Sequence, residues 1–161
     1  MFHIGDKVFY PLHGGGIISA IEQKEFLGKT RNYYVLELLQ KKMVIMVPVG
    51  TKNTMQLRQI VSKSELTTLL DAFYDKESDL TIPFKQRPKR NMEKIKSGNI
   101  TQIAEVIRDL VRIDRQKKLC SSEQNMLCST IQLLASEVSL VNQISTEEAA
   151  DLVSSVIEVQ E

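Results

Sequence analysis

The chain has 161 residues, 42% hydrophobic and 25% charged, the balance of soluble globular protein built as one largish domain or two small ones. No stretch approaches the ~18 uninterrupted apolar residues of a membrane span, and Met1-Phe2-His3-Ile4-Gly5-Asp6-Lys7 lacks the basic-then-apolar plan of a secretory signal. A formal charge of +1 conceals an asymmetry: residues 1–82 carry +1, residues 83–118 carry +7, and residues 119–161 carry −7 with no Lys or Arg at all. A basic middle beside an acidic end reads as an electrostatic footprint for a polyanion, or else as ordinary solvated helix faces.

Residues 6–60 show the short period of strands. Val8 and Tyr10 alternate with Lys7 and Phe9, and Pro11 ends the run. Gly14-Gly15-Gly16 could suggest a phosphate cradle, but such a loop leads into a helix and normally carries a Lys-Ser/Thr pair. Here Ile17-Ile18-Ser19-Ala20-Ile21 follows, which is strand composition, so the glycines are expected to turn the chain between two strands. Further strands are expected over Ile17–Phe26, Asn32–Leu38 and Lys42–Val49, with Gly28-Lys29 marking a hairpin and a short fifth strand around Met55–Ile60. Five closely spaced strands predict a small Tudor- or SH3-like β-barrel.

From Ser62 the period becomes helical. Ser62-x-x-Glu65 is a capping box opening a helix through about Tyr74. A connector from Asp79 to Pro88 precedes a helix over Lys89–Lys96 that stops at Gly98. Ile100, Ile103, Ala104, Ile107, Leu110 and Val111 form one apolar stripe, with Arg108, Arg112 and Arg115 on a different face. Ser121 or Ser122 is expected to cap a long helix with Leu127, Ile131, Leu134, Val138 and Val141 along its seam. Ser145-x-x-Glu148 opens a last helix through about Val159. The fold class is therefore α+β: a barrel over residues 1–61 followed by a compact bundle of about five helices over residues 62–161.

Catalytic chemistry finds little support. His3 and His13 are the only histidines, and neither has an acid or nucleophile at a recognisable spacing. Cys120 and Cys128, eight apart in a helical stretch, have neither zinc-ligand spacing nor bridging geometry, and read as reduced core thiols. Glu147-Glu148 sits in a first helical turn, where the helix dipole accounts for it. No catalytic residue, metal site or cofactor is expected, and binding is the better class of function.

Two sets of residues together suggest a family. Gly5-Asp6-x-Val8-x-Tyr10-Pro11-x-His13-Gly14, Tyr34-Val35-Leu36 and Val47-Pro48 resemble the N-terminal domain of the CarD family, which is similar to the polymerase-binding module of transcription-repair coupling factors. Asn91-Met92-Glu93-Lys94-Ile95-Lys96-Ser97-Gly98, Ala104-Glu105-Val106-Ile107-Arg108-Asp109-Leu110 and Ser122-Glu123-x-x-Met126-Leu127 resemble the family's helical half. The resemblance runs in order along nearly the whole chain.

The resemblance implies a bacterial, cytoplasmic and nucleoid-associated regulator of transcription initiation, acting as a monomer. Its barrel is expected to bind the RNA polymerase β subunit, and its helical half promoter DNA at the upstream edge of the bubble, with little sequence preference. On this reading the polymerase-binding residues are Lys24, Val44 and Met46, and the DNA-binding residues are Phe84, Lys85, Arg87, Lys89 and Arg90. Phe84 stands where the family carries a wedging tryptophan, for this chain has none. Gln86 and Gln124 occupy places that are basic in some relatives, and Met46 stands where an arginine can occur. Met43-Val44-Ile45-Met46-Val47 is apolar on both faces, which fits either an edge strand covered by a partner or burial inside the barrel. A free-standing DNA-binding protein and a pure protein adaptor stay open beside the regulator.

Overall fold

The computed structural model describes residues 1–159, with the backbone alone at Met55. The elements run β1 (Lys7–Tyr10), β2 (Gly14–Phe26), β3 (Lys29–Leu38), β4 (Val44–Pro48), α1 (Lys52–Gln56), β5 (Arg58–Gln59), α2 (Lys63–Asp71), α3 (Arg87–Lys96), α4 (Ile100–Gln116), α5 (Ser121–Asn142) and α6 (Thr146–Glu158).

The strands form one antiparallel sheet in the order β4-β3-β2-β1-β5. It is an open Tudor-like sheet rather than a closed barrel. The short fifth strand expected around Met55–Ile60 is Arg58–Gln59, two residues of that segment. The segment's first part belongs to α1, where the Thr54 hydroxyl accepts from the Thr51 N–H and donates to the Pro48 carbonyl.

Gly14-Gly15-Gly16 likewise lies inside a strand, not in a turn. Tyr10 pairs with Gly14, Phe9 with Gly15 and Val8 with Gly16, so Pro11-Leu12-His13 makes the turn. The glycines are required by what crosses them. A Cβ on Gly15 would sit 2.8 Å from Leu140 Cδ1 and 3.0 Å from the Ser136 carbonyl, both on α5. The Gly15 N–H donates to Ser136 Oγ at 2.8 Å, which seals this approach of helix to strand.

Past a bulge between Ile18 and Ala20, and beyond the Glu22–Tyr33 pair where β4 ends, β2 and β3 continue as an exposed two-stranded ribbon. Leu27 and Gly28, both at positive φ, close it in the manner of a type I′ turn.

Val8 and Phe9, neighbours in β1, point to opposite faces as strand geometry demands. Val8 packs with Ile18, Tyr34, Leu36, Leu38 and Leu57 in the sheet's own core, while Phe9 enters the helical core. The two halves therefore share a core residue. Arg58 strengthens the junction: its guanidinium lies 4.5 Å from the Phe9 ring centroid and binds both oxygens of Glu137 on α5.

In the helical half, Ser62 and Ser145 cap α2 and α6 through the Glu65 and Glu148 N–H groups, as the capping boxes predict. The α4 stripe is buried, but Arg108 is buried with it and donates to Asp109. The N-cap of α5 is Cys120, ahead of both serines, and it makes no side-chain cap. Residues 133–140 of α5 are buried on every side, including Ser136, Glu137 and Ser139. Cys120 and Cys128 are exposed rather than core thiols: Cys120 sits at the start of α5 and Cys128 lies on its solvent side.

Candidate functional site

Strand β4 is a sheet edge, hydrogen-bonded to β3 on one side only among the described strands. Alternation along it buries Val47 and leaves Val44 60% and Met46 36% exposed, with Met43 exposed just before. Both expected contact residues thus face outward from an unpaired edge. Such an edge offers backbone donors and acceptors together with apolar side chains. Lys24 is exposed on the ribbon, opposite Arg31 and 3.8 Å from Glu22. It lies past the end of β4, whose pairing with β3 stops at Tyr33 and Pro48.

The second surface gathers around Phe84, in the loop that leads into α3. Its ring is 55% exposed. The loop is pinned at its start by α4: Arg112 donates to the carbonyls of Tyr74 and Lys76 and to Ser78 Oγ, and Ser78 in turn donates to Asp109. Further along, Asp79 accepts from the Thr81 N–H and hydroxyl. These hydrogen bonds, with Arg90 nearby, hold the Asp79 carboxyl below its ordinary range.

Lys85, Lys89 and Arg90 are exposed, on the loop and the first turn of α3. That first turn contains Pro88 and no acid. Cations at a helix N-terminus oppose the macrodipole, so this composition costs local stability while creating a doubly positive spot.

Arg87 stands differently from the other cations. Its Nη2 and Nε donate to Glu123 at 2.7 and 3.1 Å, and Glu123 is only 1% exposed. The bond to Glu123 lifts the arginine's already high pKa further. The guanidinium also lies 5.1 Å from the Phe84 ring centroid. Arg87, one of the expected DNA contacts, has its fork turned inward, onto a buried carboxylate.

A cleft of about 460 Å³ opens beside this stack, lined by Phe84, Arg87, Lys117, Lys118, Cys120 and Glu123. The two lysines belong to the basic segment but were not singled out by their spacing. Only the fold brings residues 117–118 beside residue 84. Cys120 is exposed here, and hydrogen bonds from Ser122 and the α5 backbone lower its pKa.

His13 stacks on Tyr10 with ring centroids 5.2 Å apart, and its Nδ1 is buried without a partner. Burial first, and then the Lys41 charge, lowers its pKa. His3 lies in an exposed turn beside Asp6. Among the described residues no group of three or more His, Cys, Asp or Glu side chains is placed to hold a metal, and no helix is long and apolar enough to cross a membrane.

Comparison with known proteins follows the same division of the chain. Residues 2–61 match the CarD-like/TRCF RID domain, and residues 68–154 match the CarD C-terminal domain. The chain is 40% identical over 148 residues to the "Putative transcription factor YdeB" of Bacillus subtilis (strain 168), spanning 92% of this chain and 97% of that relative. With both domain models matched in order and the relative covered almost end to end, this chain belongs to the CarD family of bacterial transcription regulators.

Proposed function

We propose that this protein regulates transcription initiation by binding the RNA polymerase β subunit through residues 1–61 and promoter DNA at the upstream edge of the bubble through residues 62–161. The observation that carries the reading is the open edge of β4, which displays Val44 and Met46 beside unpaired backbone. A strand of the partner adding to this edge would satisfy the backbone and cover the apolar side chains at once. The match of residues 2–61 to a polymerase-interacting domain family supports that assignment.

At the other surface, Phe84 is an exposed apolar ring, followed along the chain by exposed Lys85, Lys89 and Arg90. Apolar side chains wedge into unstacked base steps of a distorted minor groove, and cations beside them hold the phosphates without reading sequence. The α3 N-terminus adds its dipole to the same end.

The mechanism needs only modest DNA affinity. Once the sheet holds polymerase, the basic surface meets promoter DNA at high effective concentration. A wedge that fits the melted edge better than the closed duplex shifts the balance by that difference alone. A difference of about 1.4 kcal/mol changes the open-to-closed ratio tenfold.

The test uses the full chain, because Phe9 of the sheet is buried in the helical core. Retention of bacterial RNA polymerase by the immobilised protein is expected to fall when Met46→Glu and Lys24→Glu are combined. Phe84→Ala is expected to keep retention and shorten the open-complex lifetime. Equal retention by both proteins removes the tether. Loss of DNA binding only, without any polymerase requirement, favours a free-standing DNA-binding protein instead.

A further inference from the structure

We propose that Arg87 serves DNA binding through Phe84: clamped by the buried Glu123, its guanidinium is the platform that fixes the exposed ring, which makes Arg87 a positioning residue and not a phosphate contact. The inference rests on the wedge reading above and names what aims the wedge.

A ring more than half exposed loses little by swinging between rotamers, and a mobile wedge must be ordered at the moment it inserts. The Arg87 guanidinium, 5.1 Å from the ring centroid, is positioned to prevent this. Arginine is the side chain suited to the task. Its planar fork can bind a carboxylate through two N–H groups while its face stays available to an aromatic ring. Lysine, a point charge, cannot do both.

The clamp itself is well anchored. Glu123 lies in the first turn of α5, where the helix dipole favours its charge, and it is sealed from solvent. A buried carboxylate holds its cation closely, because losing it strands a charge in a poor dielectric. The ring is thus referenced to the longest helix of the bundle, through Arg87, rather than to the loop that carries it. A guanidinium already neutralised by Glu123 has correspondingly little attraction left for a phosphate, unlike exposed Lys89 and Arg90.

The chain has no tryptophan, so Phe84→Trp creates a single fluorescent reporter at the wedge. Time-resolved anisotropy of the free, full-length protein then reads ring motion without DNA or polymerase. Adding Arg87→Lys is expected to introduce fast, large-amplitude motion, while adding Lys89→Gln leaves the decay unchanged. Should Arg87→Lys impair folding, Arg87→Ala with Glu123→Leu removes the platform without stranding a charge. A reporter equally mobile with and without Arg87 overturns the proposal.

On polymerase, with Phe84 present, Arg87→Lys is expected to shorten the open-complex lifetime roughly two- to fivefold, the size of one cation–π contact. In a Phe84→Ala background it is expected to have no further effect, and the salt dependence of DNA binding stays as in the parent. A lifetime loss that persists without Phe84 makes Arg87 a direct contact and overturns the platform. A ring fixed by Arg87, combined with no effect of Phe84→Ala on lifetime, instead overturns the wedge reading and with it the platform's role on DNA.

Discussion

Arg58 and Glu137, 79 residues apart, join sheet to bundle through two hydrogen bonds of 2.8 and 2.7 Å. Glu137 has no exposed surface, and its Oε2 also accepts from the Val61 N–H at 2.9 Å, at the point where the chain passes from β5 into α2. Arg58 Nε donates to the Gly98 carbonyl at 2.7 Å, past the end of α3. One ion pair therefore ties the last strand, the start of α2, the end of α3 and the C-terminal half of α5. Proposed contacts on the sheet and on α3 are held in one frame through it.

Arg58→Ala leaves Glu137 as an uncompensated buried charge. The expected destabilisation is about 3–5 kcal/mol, read from urea denaturation of the full chain. Replacing both partners, Arg58→Met with Glu137→Met, is expected to recover most of that loss. If the single variant unfolds at the parent's urea midpoint, the pair is not what holds the halves together.

Gly15→Ala probes the same junction by sterics alone. Gly15 is not at positive φ, so its backbone suits alanine. The added methyl instead meets Leu140 Cδ1 at 2.8 Å, closer than such carbons approach in proteins, and the Ser136 carbonyl oxygen at a tight 3.0 Å. Overpacking of this kind costs about 1–3 kcal/mol. Gly28→Ala, where nothing lies within 4 Å but φ is +75°, supplies the contrast of strain without crowding. Thermal unfolding of both variants separates the two causes, and a neutral Gly15→Ala would mean that α5 can retreat.

His13 makes stability depend on pH. Burial, helped by Lys41, depresses its folded pKa below 6.5. As pH falls through about 6.5 the unfolded chain takes up the proton first. Stability is therefore lost from that point downward, and the loss levels off below the depressed folded value. Urea midpoints at pH 7.5 and 5 are expected to drop further for the parent than for His13→Gln. An identical drop in both proteins would show that His13 ionises as freely in the folded state as in the unfolded one.

Residues whose role is local could be read from the sequence, and residues defined by a distant neighbour could not. Ser62 with Glu65 and Ser145 with Glu148 cap helices using atoms three positions apart, so the spacing alone discloses them. The α4 stripe is legible for the same reason. Gly14-Gly15-Gly16 resembles a turn because Gly14 and Gly15 answer to α5, more than 100 residues later, and Gly16 to the β3 backbone at Glu37. Along α5, Ser136, Glu137 and Ser139 interrupt the apolar pattern where the helix is most deeply buried: Ser136 accepts from the Gly15 N–H, Glu137 from the Val61 N–H, and Ser139 donates to the Ile144 carbonyl past the helix end. Arg87 is the instructive case at the site itself. Its place in a basic run is legible, whereas its pairing with Glu123, 36 residues on, is set by the fold alone.

That difference between paired and exposed cations gives the last prediction. Each phosphate neutralised by a Lys or Arg releases condensed counterions, so log K falls with log salt by about 0.9 per contact on duplex DNA. Lys89 and Arg90 are exposed on the first turn of α3, and each is expected to contribute one such contact. Lys89→Gln and Arg90→Gln should each lower the slope by about 0.9, with the same effect on unrelated DNA sequences, because phosphate contacts carry no base information. Gln86→Lys, restoring charge at a position that is exposed beside them, should steepen the slope by a similar amount. The measurement is a salt titration of the binding of the full chain to duplex DNA, each variant against the parent. Unchanged slopes for Lys89→Gln and Arg90→Gln would move the DNA-binding surface away from the start of α3 and toward Lys117 and Lys118, across the cleft from Phe84.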